Sequence, residues 1–205
     1  MPGGHFMPGI LLVVSGPSGV GKGTVVGHMM ESGAAGSTCR FSVSMTTRAP
    51  RPGEIHGVHY FFTDKESFLR DAERGMLLEY AEYNGNYYGT PSEYVKQGVN
   101  SGACIILDIE TQGMRQTVEK MPEAVTVFIA PPGIEVLEKR LRGRGTETED
   151  SILRRLDTAR RECGRMGEYQ YIIVNDDVQR AAQDLAAVIR AEYLKSHRNM
   201  EVKEL

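Results

Sequence analysis

Short apolar runs alternate along this chain with longer stretches in which apolar residues recur every three or four positions. The runs at residues 10–14, 103–108, 124–129 and 171–174 are almost continuous and rich in Val, Ile and Leu. Such runs are typical of strands that are buried on both faces. Because a helix candidate follows each run, the pattern predicts an α/β fold in which a parallel sheet is flanked by helices.

The helix candidates begin near Lys22, Glu110 and Ile134, and the last covers residues 178–194. In that last stretch the apolar side chains recur at helical spacing, so one face of the helix is expected to pack on the sheet.

Two segments interrupt this rhythm. Residues 44–95 contain prolines, glycines, most of the tyrosines and short alternating runs, which predict a small antiparallel sheet with one helix near residues 64–74. Residues 140–165 are dense in arginine and are expected to form a helical lid. We therefore divide the chain into a core (8–43, 96–139 and 166–205), a first insert (44–95), a lid (140–165) and a disordered leader (1–7).

Composition narrows the class of protein. The 205 residues, 40% of them apolar, suffice for one core with attached subdomains. A net charge of −3 argues against a general nucleic-acid binder, which must neutralise many phosphates at once. Cys39, Cys104 and Cys163 are too few and too scattered for a disulfide framework or a zinc cluster, and Cys104 is expected in the core. Without a membrane-spanning run or a signal peptide, we expect a cytoplasmic protein that binds neither membrane nor nucleic acid.

A glycine-rich segment follows the first apolar run and matches the phosphate-binding P-loop. In such a loop, backbone N–H groups surround an anion, the next helix adds partial positive charge at its N-terminus, and a lysine reaches the β- and γ-phosphates. A tight strand-to-helix turn with an incidental lysine is the simpler alternative. The candidate phosphate-binding residues are Gly16, Pro17, Ser18, Gly19, Val20, Gly21, Lys22, Gly23 and Thr24.

One position departs from the usual P-loop. Gly23 stands where a Ser or Thr hydroxyl usually meets Mg²⁺, and Thr24 comes one place later. Lys-Gly-Thr is the order seen in adenylate kinases, so the loop fits a nucleoside monophosphate kinase better than a GTPase.

The first insert carries side chains suited to a second phosphate. Arg48 and Arg51 lie three residues apart among several hydroxyls, and a guanidinium donates two parallel hydrogen bonds to a phosphate. By itself this segment is equally compatible with a solvated loop. Residues 79–90 then add an acid, paired tyrosines and a hydroxyl in a β-hairpin pattern.

Over nearly its whole length the chain resembles guanylate kinases. Beyond the P-loop, the resemblance rests on residues 44–54, 85–90, 106–113, 130–132, 143–147 and 174–176. It implies an ATP:GMP phosphotransferase that uses ATP as its Mg²⁺ complex and yields ADP and GDP, or dGDP from dGMP. It also implies direct in-line transfer and closure of both inserts over the substrates.

The resemblance implies which residues hold GMP. Glu79 accepts hydrogen bonds from guanine N1–H and the 2-amino group, and Ser44 and Thr90 donate to O6; adenine would leave the carboxylate unpaired. Glu110 stands where the family usually has an Asp on the same amino group. The implied GMP-binding residues are Ser44, Arg48, Arg51, Tyr60, Glu79, Tyr88, Thr90, Asp108 and Glu110.

The lid arginines are expected to reduce the electrostatic repulsion between the phosphates of the two substrates. Two unit charges 4 Å apart repel by about 4 kcal/mol at an effective dielectric of 20, and arginines remove this barrier between the phosphates. The resemblance implies catalytic roles for Lys22, Arg48, Arg140, Arg144 and Arg155, and it places Asn175 near adenine. The other lid arginines, Arg142, Arg154, Arg160, Arg161 and Arg165, are expected on a solvated helix face beside acids.

Thr24 and Asp108 are the candidate ligands of Mg²⁺, either directly or through water. Asp108 ends a buried strand beside the P-loop strand, where open α/β sheets bind ligands. An acid there commonly orients a metal-bound water, and the N-cap of the next helix is the alternative role.

Three other functions stay open at this point. The chain is compatible with another small-molecule kinase, such as an adenylate kinase or a ribose-bisphosphate kinase. A second alternative is a non-catalytic guanylate-kinase-like binding module, although such modules have degraded P-loops. The third, an RNA-binding protein that uses the arginine cluster, is disfavoured because no aromatic stacking platform lies beside it.

Overall fold

The structure, a computed structural model, describes residues 8–36, 38–143 and 148–198. A five-stranded parallel sheet forms the centre of this part of the chain. In spatial order its strands are β2 (Cys39–Phe41), β7 (Cys104–Asp108), β1 (Ile10–Ser15), β8 (Val125–Ala130) and β9 (Tyr171–Val174). Every residue of β1 and β8 is buried, because helices cover both faces of the sheet. The predicted α/β core is therefore confirmed.

The described residues form α1 (Lys22–Ser32), α2 (Lys65–Glu73), α3 (Ser92–Asn100), α4 (Thr111–Lys120), α5 (Ile134–Arg142), α6 (Glu149–Cys163) and α7 (Val178–Tyr193). Alternate residues of β1 point to opposite faces of the sheet and enter two separate apolar clusters. Side chains from α1, α5, α6 and α7 fill the first cluster, whereas α3 and α4 cover the other face.

Two elements carry weak local signals and were not predicted. The edge strand β2 leaves Arg40 and Phe41 exposed, so it lacks a continuous apolar run. Helix α3 buries little more than Val95 and Gly98, and Gly98 lies so close to Ile105 that a Cβ would meet that side chain at 2.5 Å. Both elements are therefore held by tertiary contacts rather than by their own periodicity.

The first insert folds into a second sheet with the order β4 (Phe61–Phe62), β3 (Met45–Thr46), β6 (Asn86–Pro91) and β5 (Leu77–Tyr83). The prediction of a purely antiparallel sheet is wrong at one pair, because β3 and β4 run parallel. The long connection between these two short strands brings the chain back in the same direction. The predicted helix is α2, which Asp64 caps by accepting a hydrogen bond from the backbone N–H of Ser67.

The lid contains the C-terminal end of α5 and all of α6, as its helical pattern predicts. Arg142 of α5 donates to Glu138 of the same helix at 2.9 Å and to Glu149 of α6 at 2.7 Å. The second of these bonds joins the two helices. The predicted leader and Arg144 lie outside the described residues. Among the helices that the structure describes, none is long and apolar enough to cross a membrane.

Candidate active site

The P-loop packs tightly between the end of β1 and the start of α1. Gly16, Gly19 and Gly21 adopt φ values of 150°, 89° and 96°, which favour glycine. A Cβ on Gly16 would lie 2.3 Å from the carbonyl oxygen of Ile129, and one on Gly21 would lie 2.8 Å from Nδ2 of Asn175. The glycine spacing of the sequence is thus required by close backbone approach as well as by the turn.

Lys22 folds back over this loop. Its Nζ donates to the carbonyl oxygen of Gly16 at 2.8 Å and lies 3.7 Å from Oδ1 of Asp108. The register of the parallel strands explains the second contact, since Val14 pairs with Asp108 immediately before the loop begins. Burial raises the pKa of Asp108 while the Lys22 charge opposes that shift. The lysine and the carboxylate therefore face one point at the carboxyl edge of the sheet.

A cavity of about 650 Å³ opens above that point between the P-loop and the lid. The P-loop contributes Gly16, Ser18 and Lys22, and helix α6 contributes Arg154 and Arg155. The guanidinium of Arg155 donates to the hydroxyl of Ser18 at 2.5 Å. Three cations, together with the carboxylates of Glu110 and Glu162, thus line a space that can admit phosphate groups.

A second cavity, of about 300 Å³, lies between the small sheet and the start of α4. Tyr83 and Glu110 line both this cavity and the larger one, so the two spaces adjoin. Six of the nine residues that the sequence assigns to the acceptor site line it: Ser44, Tyr60, Glu79, Tyr88, Asp108 and Glu110.

Glu79 is the buried acid of the second cavity and is only 6% exposed. Its Oε1 accepts a 2.6 Å hydrogen bond from the hydroxyl of Thr90. Burial raises the pKa of Glu79, while Thr90 and the charge of Lys120 oppose the shift. A Cβ on Gly113 would come within 3.0 Å of Oε2, so that glycine leaves the second oxygen its space.

Arg48 is preorganised beside Tyr60, one of the residues that line the same cavity. Glu54 accepts two hydrogen bonds from its Nη2, at 2.8 and 3.0 Å, and the guanidinium lies 5.5 Å from the ring centroid of Tyr60. The pKa of Arg48 is raised mainly by its hydrogen bond to Glu54, with a smaller contribution from Tyr88. The exposed Arg51 contributes its backbone N–H to Glu54. Glu54 therefore holds the segment that carries both arginines.

A third cavity, of about 410 Å³, lies on the other side of the P-loop, where Gly19, Gly21 and Thr24 meet Asn175 and Arg140. The side-chain amide of Asn175 donates to the carbonyl oxygen of Val20 at 2.7 Å. Arg140 donates to the same carbonyl at 3.2 Å and to that of Asn175 at 2.9 Å. Both side chains therefore support the loop from beneath this cavity.

Comparison with known proteins agrees with this geometry. The guanylate kinase family model matches residues 9–192. The chain is 48% identical over 190 residues to the guanylate kinase of Shouchella clausii, covering 93% of this chain and 91% of the relative. It is 46% identical over 193 residues to that of Halalkalibacterium halodurans, covering 94% and 93%. A crystal structure of guanylate kinase from Anaplasma phagocytophilum matches with a TM-score of 0.70 and 35% identity, over 94% of this chain and 90% of that one.

The chain belongs to the guanylate kinase family. It is accordingly a nucleoside monophosphate kinase, and a P-loop kinase core is its fold.

Two residues expected from the guanylate kinase pattern lie differently from their predicted positions. Thr90 is fully buried, and its hydroxyl donates a hydrogen bond to the carboxylate of Glu79. In this structure Thr90 therefore positions the acid instead of facing the cavity. Arg140 lies under the P-loop and not in the cavity of the lid arginines, because Leu137 and Leu141 of α5 pack beside Gly19. Local sequence does not encode the rotation of α5 that turns Arg140 toward the loop.

Three residues that line these cavities were not among the predicted site residues. Arg154, which was predicted on a solvated face, lines the lid cavity beside Arg155. Glu162 lines the same cavity two helical turns after Arg155. Tyr83 lines both the cavity of about 650 Å³ and the cavity of about 300 Å³, although most of its side chain is exposed. The signal was present for one of them, since Glu162 lies two helical turns after the candidate Arg155 and shares its face of α6.

Asp108 does not cap the next helix. Glu110 occupies the N-cap position of α4, and it makes no side-chain capping bond. The alternative role for Asp108 is therefore wrong, and its carboxylate faces Lys22.

A matched pair of glycine substitutions tests the loop. We expect Gly21→Ala to destabilise the kinase and to lower its turnover, because the new Cβ meets Asn175 at a φ that favours glycine. Nothing lies within 4 Å of a Cβ on Gly23, which is in α1, so Gly23→Ala should raise the free energy of unfolding by up to about 1 kcal/mol. Thermal unfolding and steady-state kinetics measure both effects. Loss of turnover in Gly23→Ala would show that nucleotide binding needs bare backbone there.

Proposed function

We propose that this kinase transfers the γ-phosphoryl group of ATP to GMP, or to dGMP, and produces ADP and GDP or dGDP. The observation that carries the proposal is the buried carboxylate of Glu79 in a cavity that adjoins the lysine and arginine cavity. A buried acid requires a partner that donates hydrogen bonds, and guanine offers two adjacent donors. The family relationship supports the same substrates.

Recognition of the base follows from the geometry of the second cavity. Thr90 fixes Oε1 of Glu79 at 2.6 Å, which orients the carboxylate toward the cavity with little freedom to turn. Guanine N1–H and its 2-amino group donate to this carboxylate, and the hydroxyl of Ser44 is the lining donor for O6. AMP lacks both guanine donors, so its binding leaves the buried carboxylate with its Thr90 hydrogen bond but without the two bonds that guanine supplies.

The acceptor phosphate is placed by the residues around Tyr60 and Tyr88. These rings meet edge to face at 6.2 Å, and the guanidinium of Arg48 lies over Tyr60. Two hydrogen bonds to Glu54 hold that guanidinium in place before substrate arrives, so little side-chain entropy is lost on binding. Arg51 adds a second charge from the same segment.

Transfer itself requires alignment and charge neutralisation. The backbone N–H groups of the P-loop and the ammonium of Lys22 hold the β- and γ-phosphates of ATP, and Arg155 and Arg154 approach from the lid. Arg140 and Asn175 keep the loop in shape through the carbonyl of Val20, and adenine lies in their cavity. Transfer is direct and in line, without a covalent intermediate on the protein. Closure of the lid excludes water that would hydrolyse ATP.

The residues present fit Mg²⁺ bound mainly by phosphates and water. Among the described residues, no cluster of three or more His, Cys, Asp or Glu forms an all-protein metal cage, and Mg²⁺ commonly keeps several waters. Asp108 offers a partly exposed carboxylate next to Lys22 and would hold a metal-bound water. Thr24 lines the ATP-side cavity instead, so it fits a nucleotide contact better than a shared metal site with Asp108. When bound, Mg²⁺ neutralises charge on the phosphates.

A panel of monophosphate acceptors tests the proposal. With ATP as donor, we expect ADP release with GMP and dGMP to exceed release with AMP, CMP, UMP and ribose phosphates by at least about 10³-fold in kcat/KM. The physical reason is that no other acceptor in the panel presents the adjacent N1–H and 2-amino donors of guanine to the Glu79 carboxylate. A preference for AMP or a sugar phosphate would contradict the assignment of GMP, and ATP turnover without any acceptor would indicate a different reaction.

Arg154 provides a further test of the lid. We expect Arg154→Ala to lower kcat by about 10- to 10³-fold with a small change in GMP affinity, because its charge lines only the transfer cavity. Arg161→Ala is the matched control, since Arg161 lies on the same helix and pairs with Asp157. Equal kinetics of the two variants would return Arg154 to the solvated face of α6.

A further inference from the structure

Helix α4 holds the edge strand β5 of the small sheet through a side-chain amide. Gln116 bonds to both backbone groups of Tyr80, because its Oε1 accepts from the N–H at 3.0 Å and its Nε2 donates to the carbonyl oxygen at 3.3 Å. β5 is the last strand in the order of that sheet, and β6 pairs with it on one side. The amide of Gln116 therefore takes the place that a neighbouring strand would have along Tyr80.

The same face of α4 approaches β5 at two further points. One helical turn after Gln116, the Nζ of Lys120 donates to the carbonyl oxygen of Leu77 at 2.7 Å. One turn before Gln116, Gly113 leaves space for Glu79, because a Cβ on that glycine would lie 3.0 Å from Oε2 of the acid. Residues three and four apart share one face of a helix, so successive turns of α4 hold β5 on both sides of Glu79.

A β-bulge lies in the segment that these contacts hold. Leu77 pairs with Pro91, and Tyr80 pairs with Gly89. Three steps along β5 thus match two steps along β6, so one extra residue is accommodated in the interval that contains Glu79. Bulges interrupt the ladder of hydrogen bonds, bend the strand and change the direction of a side chain, and they are frequent beside active sites.

We propose, on the basis of the proposed GMP kinase function, that Gln116 and Lys120 are positioning residues for base recognition, which fix both ends of the bulge and so aim the Glu79 carboxylate into the acceptor cavity. From α4 that cavity is lined by Gln112 and Gly113, one to two turns before these residues. Gln116 and Lys120 therefore act through β5 and not by contact with the substrate.

Lys120 also influences the charge of Glu79. Burial raises the pKa of Glu79, the hydrogen bond from Thr90 is the main cause that opposes this rise, and the charge of Lys120 is the next. A charged carboxylate accepts from both donors of guanine, whereas a protonated carboxyl group presents a hydroxyl in place of one acceptor. The ammonium that is held at Leu77 therefore favours the form of Glu79 that guanine recognition requires.

Attachment of β5 to α4 for stability alone is the simpler role of these bonds. Leu77 and Leu78 are each only 1% exposed, so apolar packing already anchors this part of β5. Apolar burial is non-directional, whereas hydrogen bonds constrain the orientation of the groups that they join. The two roles differ in one consequence, because a positioning role alters the discrimination between bases and a purely structural role alters only the stability of the fold.

A comparison of GMP with IMP as acceptors tests the aim of the carboxylate. IMP keeps the N1–H and O6 of guanine but lacks the 2-amino group, so the ratio of kcat/KM for GMP to that for IMP reports whether Glu79 reaches both donors. We expect Gln116→Met, which retains side-chain length and loses both bonds, to lower this ratio at least about 10-fold, and Lys120→Met to lower it about 3-fold. Glu119→Met is the matched control at an exposed position of the same helix, and it should leave the ratio unchanged.

Amide hydrogen exchange of the substrate-free protein, measured by NMR, separates this role from the assignment of GMP. The amide of Tyr80 should exchange at least about 10-fold faster in Gln116→Met than in the parent chain, and at the parent rate in Glu119→Met. Unchanged exchange at Tyr80 would overturn the positioning role whichever acceptor the kinase prefers. An unchanged GMP-to-IMP ratio in both Gln116→Met and Lys120→Met, with a lowered unfolding temperature, would overturn it in favour of a purely structural role. A parent chain that prefers AMP to GMP would contradict the proposed function itself, and with it the role in base recognition, even where the Tyr80 amide responds as expected.

Discussion

Glu79→Gln is expected to lower kcat/KM for GMP by between about 10² and 10⁴-fold, because two charge-assisted hydrogen bonds to guanine are worth roughly 1.5 to 3 kcal/mol each. The amide retains the shape of the side chain and its acceptor for Thr90, but it presents donors where guanine also donates. KM for ATP should stay within about two-fold, since Glu79 does not line the P-loop cavities. Steady-state kinetics with each substrate varied in turn measures both values.

The pH dependence of this variant carries a second expectation. Burial raises the pKa of Glu79 in the free protein, so acid neutralises this carboxylate at a higher pH than it would an ordinary glutamate. In the parent chain, kcat/KM for GMP should therefore decline on acidification in excess of any decline caused by the GMP phosphate. Glu79→Gln reports the substrate contribution alone, and identical pH profiles would contradict a role for the carboxylate.

Glu79→Gln should raise the stability of the free protein although it weakens the recognition of GMP. A folded-state pKa above the unfolded value means that Glu79 favours the folded state below the unfolded pKa, and that this contribution is lost as pH rises through the raised pKa. At neutral pH this contribution is reduced or lost, and Glu79→Gln, which does not titrate, should unfold at a higher temperature. Glu82→Gln, an exposed neighbour in the same cavity, is the control and should change neither stability nor GMP specificity appreciably.

Lys22→Ala is expected to lower kcat by about 10³-fold or more, because it removes the charge nearest the transferring phosphoryl group. The affinity for GMP should remain within about two-fold, since Lys22 does not line the acceptor cavity. Single-turnover transfer and equilibrium binding of GMP separate these effects. Lost GMP affinity would instead make Lys22 a structural residue that holds Gly16 and Asp108 together.

Lys139→Ala is the matched control for this substitution. Lys139 is an exposed lysine on α5, so its removal changes the net charge equally without touching the P-loop. A similar loss of kcat in both variants would show that overall charge, rather than the position of the ammonium, supports transfer. In Lys22→Ala the carboxyl group of Asp108 also loses its nearest cation, so its pKa should rise further.

The chain's local patterns were sufficient for the core. Continuous apolar runs identify β1, β7, β8 and β9 within one residue at most ends, because strands buried on both faces must be apolar throughout. They were insufficient for β2, whose exposed residues interrupt any apolar run, and for α3, which buries few side chains. The parallel direction of β3 and β4 in the small sheet was also not predicted, because two-residue strands carry no information about the path between them.

The candidate nucleotide site was likewise predicted only in part from the sequence. The sequence by itself determined the P-loop and the arginine-rich lid, because each rests on residue types at short, characteristic spacings, and its resemblance to guanylate kinases pointed to Glu79. Only the tertiary structure decided that Thr90 supports Glu79, that Arg140 lies beneath the loop and that Arg154 faces the transfer cavity. It also decided that Cys39 and Cys104 are neighbours. Those arrangements depend on strand register and helix rotation, which arise from packing between segments distant in the chain.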